Sequence, residues 1–416
     1  MNVHEDQVKE VEVYLEKNVS ERTGENPSVA HGINRRSPLM AITGCDVTKC
    51  LPQDFMHDTL EGSLKLDVCF LLLDVITKKQ MTLNVVNERI QVFAKHFGVN
   101  KPSIIEMQYL EKKRLRQTAS EMLTLAYLLP FVLRKKVGCE MVSVCTEENL
   151  KCYLLRLQLM TSLMAEEFTH QDIEYVSKLT EKHHSLFYQL YKYATPKMHY
   201  EVHTHQIMLY GPPRHYWCFR FEGKHAYFKR LLRIYRCFKD PSGTFARSHQ
   251  RKLCGLMLMS SKGDGGPFLK SSDSFGAPRE KRMQSLLHYS GLLNIFVNIP
   301  RDAILSLYKV VFVNGVTYKK ANAIVVSIDG SQPVFGEITE ILVYDRKLAF
   351  MYKQLVTQHY NETLHAFKVD YCVGVDYGVV LASDLPHCHQ LFIIKSIGAY
   401  YIIAPNRNFG PKMKLR

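Results

Sequence analysis

The stretch Arg214-His215-Tyr216-Trp217-Cys218-Phe219-Arg220-Phe221-Glu222-Gly223-Lys224-His225-Ala226-Tyr227-Phe228-Lys229-Arg230 decides how this chain is read. It holds the only tryptophan, Trp217, and a single acid, Glu222, among basic and aromatic residues. Across 214–252 there are eleven Lys and Arg against two acids, Glu222 and Asp240, an imbalance that calls for an anionic partner. The pattern predicts strand or loop through Phe221 and a helix from about Glu222 to Phe238. Tyr227, Leu231, Ile234, Tyr235 and Phe238 recur at helical spacing and form the expected buried stripe. Lys229, Arg233 and Arg236 fall on another face at i, i+4 and i+7. Glu222 sits in the first turn, where the helix dipole favours a carboxylate. Spacing leaves two readings open. One is an amphipathic surface helix whose Glu is a cap, and the other is a carboxylate held beside a phosphate-binding stripe.

Working outward, a chain of 416 residues with 46% hydrophobic and 23% charged residues is a folded protein with room for two or three domains. A net charge of +14 favours nucleic acid or an acidic membrane surface as partner. The eleven cysteines are scattered without tight pairing. With no signal-peptide pattern, they read as reduced thiols in the nucleus or cytoplasm rather than in a secreted protein. No apolar run reaches the roughly 18 residues of a membrane span.

Residues 1–40 read as a loosely ordered lead-in, with a short acidic helix at 3–18 and no convincing strand. In Leu51-Pro52-Gln53-Asp54-Phe55-Met56-His57-Asp58-Thr59-Leu60-Glu61-Gly62, Pro52 and Asp54 mark a helix start. Leu60, Leu64, Val68 and Leu71 then continue at helical spacing. Asp54, Asp58 and Glu61 at i, i+4 and i+7 would share one face beside His57. That face is either a solvated acidic surface or a set of hard oxygen ligands suited to Mg²⁺ or Mn²⁺. Helices follow at about 64–79, 83–96, 119–134, 147–166 and 170–193. His199 and His203 could chelate zinc on a helix, but no acid or cysteine completes that shell, and Glu201 falls on the other side. His387-Cys388-His389 is equally isolated.

The character changes after a linker at 256–282. A short helix at about 279–289 precedes strands near 307–313, 316–320, 324–328, 334–344, 348–357, 364–370, 390–395 and 398–404. Asn314-Gly315 and Asp329-Gly330 are hairpin turn signals. This β-region, 283–406, is expected to form a small SH3-like barrel able to dock a protein, ahead of a basic tail at 407–416.

Gly32-Ile33-Asn34-Arg35-Arg36-Ser37-Pro38-Leu39, the Leu51–Gly62 block, the Pro196-Lys197-Met198-His199 segment and the run from Gly211 to Arg230, with Arg247-Ser248-His249-Gln250, occur in a telling order. Together they resemble the transposase-derived proteins of animal genomes that are similar to the CACTA (EnSpm-like) DNA transposons. The resemblance covers roughly 32–255. It implies an α/β fold, mostly helical in its first two thirds, in which 41–255 is a partial RNase H-like core with a helical insertion at about 64–193. It also implies Mg²⁺ or Mn²⁺ on acids for strand cleavage, with Glu222 as the last acid, Asp58 or Asp54 as the middle one, and His57 nearby. The first acid belongs on an opening strand, which this chain does not offer upstream of Asp54. A site short of one acid loses its two-metal clamp. The implied protein is therefore an inactive remnant that still binds DNA through Arg214, Arg220, Lys224, Lys229, Arg230, Arg233 and Arg236. A non-catalytic nuclear module binding nucleic acid or protein is the alternative.

Overall fold

The computed structural model describes residues 3–17, 24, 26–31, 33–47, 50–96, 100–138, 140–236, 238–260, 274–286, 289–296, 299–313, 316–330, 332–371, 377–386, 391–396 and 399–404. It is a mixed α/β protein of two units, Met1–Gln53 and Asp54–Arg416. In the first unit, α1 (Val3–Glu16) and α2 (Pro27–His31) are joined by a hydrogen bond of 3.0 Å between His31 Nε2 and Glu10. Ser37 caps the short 3₁₀ turn Pro38–Ala41.

The second unit opens on a π-helix, Met56–Ser63, continued by α3 (Leu64–Thr77). Around it pack α4 (Leu83–Phe93), α5 (Met107–Glu111), α6 (Ala119–Val132), the hairpin β1 (Arg134–Val137) with β2 (Glu140–Ser143), α7 (Glu147–Leu163) and α8 (His170–Tyr191). Helix starts carry their own signals: Thr118 and Thr169 form reciprocal capping boxes with Glu121 and Asp172. The five helices expected between 64 and 193 are all present, each ending two or three residues early. The hairpin lies where only a break was expected, because Gly138 supplies the positive φ its turn needs.

Short helices α9 (Pro196–Tyr200), α10 (Gln206–Tyr210) and α11 (Pro213–Tyr216) lead into α12 (Phe219–Tyr235) and α13 (Pro241–Ser260). The helix expected from Glu222 begins three residues earlier, so the preceding stretch is not a strand. The stripe expected to be buried is largely exposed: Ile234 is 65% and Tyr235 52% accessible, and Phe238 beyond the helix 72%. Helical spacing shows which residues share a face but not whether anything covers it. Beyond its first turn, α12 packs against α13, through Phe228 on Phe245 (5.4 Å) and on His249.

The remaining elements are β3 (Ser274–Phe275), β4 (Arg279–Arg282), α14 (Ser290–Ile295), β5 (Ile304–Tyr308), β6 (Val310–Val313), β7 (Val316–Lys319), β8 (Ala323–Asp329), β9 (Gln332–Tyr344), β10 (Lys347–Asn361), β11 (Ala366–Tyr371), β12 (Tyr377–Leu381), β13 (Phe392–Ser396) and β14 (Ala399–Ile403). They form a curled antiparallel sheet of nine strands, ordered β13-β14-β11-β10-β9-β5-β4, with β12 also on β10 and β8 on β9, and a three-stranded sheet β3-β6-β7. Curling follows from the two long central strands, which bulge at Met351/Tyr352 and each serve two partners along one edge. Gly336 and Gly378 make room for the Tyr352 ring beside that bulge: a Cβ at Gly336 would come 2.5 Å from Cδ2. The helix expected at 279–289 is instead β4 and a 3₁₀ turn, because Arg279–Arg282 pairs with β5. The Asn314-Gly315 turn, His387-Cys388-His389 and the tail lie outside the described residues, whereas Gly330 does take positive φ. Helical and β regions share one core, in which Leu364, Ala366, Phe392, Ile394 and Ile403 join residues of α3, α6 and α7.

Candidate functional site

The two sequence blocks that stood out, 164 positions apart at Asp54 and Cys218, meet in space. Phe55 stacks on Trp217 with ring centroids 6.2 Å apart, and Trp217 in turn packs edge-on against Phe219. These rings lean on the helical core and fix where α12 begins. Beside them, Asp54 caps the π-helix by accepting from the backbone N–H groups of Met56 and His57. Its Oδ1 also accepts from the Cys218 N–H at 3.0 Å, and its Oδ2 pairs with His57 Nδ1. His57 Nε2 lies 3.2 Å from Glu222 Oε1. One imidazole thus bridges a carboxylate of each block.

Electrostatics follow that geometry. Burial opposes ionisation of Asp54, but hydrogen bonds from His57 and from Cys218 outweigh it and hold the carboxyl below its ordinary value. Burial likewise works against the His57 cation, and the Asp54 hydrogen bond with the charges of Asp54, Glu222 and Glu61 overcomes it, raising the ring's pKa. Desolvation, and then donation to Asp54, push the Cys218 thiol up to about 11. A thiol so held is no activated nucleophile.

Asp58 does not join this bridge. It is half-buried on the Lys197 side, and burial lifts its carboxyl to about 6 against the pull of Lys197. Glu61 turns away to accept from the Ala119 N–H at the start of α6. The expected single face of three carboxylates is therefore broken up. The Asp58 N–H still bonds Asp54 O in an α-type turn, and the chain then widens into the π-helix, where the Leu64 N–H reaches back five residues to Thr59 O, so Glu61 leaves the i, i+4, i+7 line.

Beneath the π-helix lies a buried polar network. Arg156, wholly buried, donates Nε to Asp67 Oδ2 at 2.7 Å and Nη1 to both oxygens of Glu201 at 3.0 Å. Glu201 also accepts from the Thr59 and Ser63 hydroxyls, both at 2.6 Å, and pairs with His184 Nε2 at 3.0 Å. His183 Nε2 takes the other oxygen of Asp67 at 2.8 Å. Glu201, which spacing placed on an idle side, is the hub that ties the π-helix to the bundle. Only its place two residues after the Pro196-Lys197-Met198-His199 segment hinted at this. Lys197 Nζ adds a tie to the His57 carbonyl at 2.7 Å, and crosses where Gly62 has no side chain.

The basic residues are set differently from one another. Arg220, Lys229, Arg230, Arg233 and Arg236 are exposed on α12 or at its end. Lys224 and Lys252 both lie over the Tyr227 ring, at 5.1 and 4.7 Å. Arg214 is partly spent on Glu166, 3.2 Å away. Seven residues is nearly two helical turns, so Glu222, Lys229, Arg233 and Arg236 fall in one line along α12. The basic stripe therefore runs out from the residue that touches His57, not on a separate face.

Among the described residues, Asp54, His57 and Cys218 each offer a metal-ligating atom within 4.8 Å of the others, as do Asp67, Cys152 and His183. His199 and His203 belong to neither group; α9 ends at Tyr200, before the second of them. Magnesium or manganese, which the resemblance implies, takes oxygen donors. The converging set here is one oxygen, one nitrogen and one sulfur, with Glu222 facing the imidazole, and it does not fit a pair of hard ions. Among the described residues, no helix is long and apolar enough to cross a membrane. Comparison with protein-family models, with curated proteins and with solved structures gives no match.

Proposed function

We propose that this is a transposase-derived DNA-binding protein that has lost the strand-cleavage chemistry of its ancestors. The observation that carries the reading is the meeting of the Asp54–His57 pair with the first turn of α12, from which Lys229, Arg233 and Arg236 extend in line. Exposed arginines and lysines on one helix neutralise successive phosphates without needing a sequence-specific contact. The aromatic rings of Tyr227 and Phe228 stiffen the arm on which they stand. His57 lies within bonding reach of both carboxylates, in the place where a two-metal mechanism needs cations, and this argues for binding without cleavage. On this reading the helical body descends from an RNase H-like core enlarged by an insertion. The curled sheet is an SH3-like barrel with added strands and a docking surface for a protein partner, in the nucleus.

Duplex binding by the full-length protein, followed by fluorescence anisotropy, tests this together with nicking of supercoiled plasmid in Mg²⁺ or Mn²⁺. Binding is expected without nicking, and Glu222→Gln is expected to leave binding intact. Nicking that disappears in Glu222→Gln would show that cleavage survives; absence of binding at low salt would end the proposal.

A further inference from the structure

We infer that Asp54, His57 and Cys218 form a site for one borderline transition-metal ion, zinc by its chemistry, with Glu222 as the outer carboxylate that orients the histidine. The inference rests on the geometry of these four residues and does not require that the protein bind DNA.

The donor set is the first ground. Carboxylate oxygen, imidazole nitrogen and thiol sulfur within 4.8 Å of one another are the three ligand types zinc accepts, and a thiolate selects against magnesium and calcium. Their orientation is the second. A metal-bound histidine usually gives its other ring N–H to a carboxylate, which fixes both tautomer and ring plane. Here the Nδ1 edge of His57 faces Asp54, while Nε2 lies 3.2 Å from Glu222. Rigidity is the third ground: Asp54 is held by three backbone N–H groups, and Cys218 lies between Trp217 and Phe219, whose rings pack on each other. All three ligands are part-exposed, so an ion can enter and a fourth ligand can come from solvent.

The other cluster shows what a non-metal arrangement looks like. Both oxygens of Asp67 are taken, by Arg156 at 2.7 Å and His183 at 2.8 Å, and the guanidinium already supplies the positive charge. The oxygens of Asp54 also accept hydrogen bonds, but from backbone N–H groups and His57, and among the described residues no guanidinium or ammonium pairs with it. Zinc bound there would join the start of the π-helix to the start of α12, clamping the basic arm to the body. On binding, the Cys218 thiol gives up its proton to solvent as the sulfur–metal bond forms.

Cobalt(II) titration of the full-length, chelator-stripped protein provides the test. One equivalent should produce a thiolate-to-cobalt charge-transfer absorption and tetrahedral d–d bands, reversed by one equivalent of zinc but not by millimolar magnesium. Cys218→Ser should abolish the charge-transfer absorption, whereas Cys254→Ser, on the exposed face of α13, should leave it unchanged. Glu222→Gln should keep the absorption while weakening affinity about 10- to 100-fold. A Lys229→Gln/Arg233→Gln/Arg236→Gln variant should bind cobalt normally, which separates this outcome from any failure of DNA binding. Absence of the absorption in the intact protein, its persistence in Cys218→Ser, or displacement of cobalt by magnesium would each overturn the assignment.

Discussion

Removing the Glu201 side chain tests how the site is held in place. In Glu201→Ala, Arg156 stays at zero accessibility with only Asp67 as anionic partner. Breaking a buried pair by deleting one member costs about 3–5 kcal/mol, mostly through the charge left uncompensated. The Thr59 and Ser63 hydroxyls also lose their acceptor, at about 1 kcal/mol each. The first cost falls on the whole second unit and the second on the π-helix. Urea unfolding followed by far-UV circular dichroism should therefore show a loss of at least about 3 kcal/mol. Amide hydrogen exchange across residues 56–63 should quicken by roughly thirtyfold, the equivalent of about 2 kcal/mol. Glu201→Gln, which keeps an acceptor for the hydroxyls while losing the charge, should retain more of the exchange protection than Glu201→Ala. A loss below about 1 kcal/mol with unchanged exchange would refute the view that this network seats the π-helix.

Four other outcomes follow from the same contacts. His365 is buried between Thr161 (2.8 Å) and Tyr360 (2.8 Å), and burial lowers its pKa to about 4 from 6.5. The unfolded chain therefore takes up a proton first, so stability is complete above about pH 6.5 and falls on the order of 3 kcal/mol by pH 4. His365→Gln should flatten a stability–pH profile in that window. Burial disfavours charge on Asp67 and Glu201, but Arg156 and the histidines more than offset it and hold both carboxyls low, so their contribution stands above about pH 4.3 and is lost as pH falls further; acid titration of the intact protein should show this second, lower loss. In Gly62→Ala the new Cβ would meet Lys197 Cδ at 2.5 Å, so Lys197 must leave the His57 carbonyl; a destabilisation of about 1–3 kcal/mol is expected in thermal unfolding. Phe55→Ala removes the ring stacked on the sole tryptophan, so Trp217 emission should shift to the red as stability drops by about 3–5 kcal/mol.

Much of the helical body was legible in the sequence because its signals are local: capping threonines, 3.6-residue apolar spacing and punctuating glycines act over one or two turns. Strands β9 and β10 read equally well, because β-branched and aromatic residues are frequent in both runs. What spacing could not give was environment. Ile234, Tyr235 and Phe238 carry a core-like pattern yet face outward, since a period says nothing about whether a partner covers the face. The acidic face dissolved because the chain widens into a π-helix that carries Glu61 off the line of Asp54 and Asp58, and no residue preference announces that widening. His57 and Glu222 stood out in their own blocks and were brought into one site only by the family resemblance, and they do touch. Cys218 and Glu201 were passed over: one sits inside an aromatic run, and the other acquires its role only from Arg156 and His184, which approach from α7 and α8.

The salt dependence of duplex binding tests most directly whether the α12 stripe is a phosphate track. Each neutralised phosphate contributes about −0.9 to the slope of log K against log salt. Replacing Lys229, Arg233 and Arg236 with glutamine should make the slope shallower by about 2.7 and weaken binding at every sequence tried alike. A slope that does not change, with affinity intact, would place the DNA elsewhere and contradict the account.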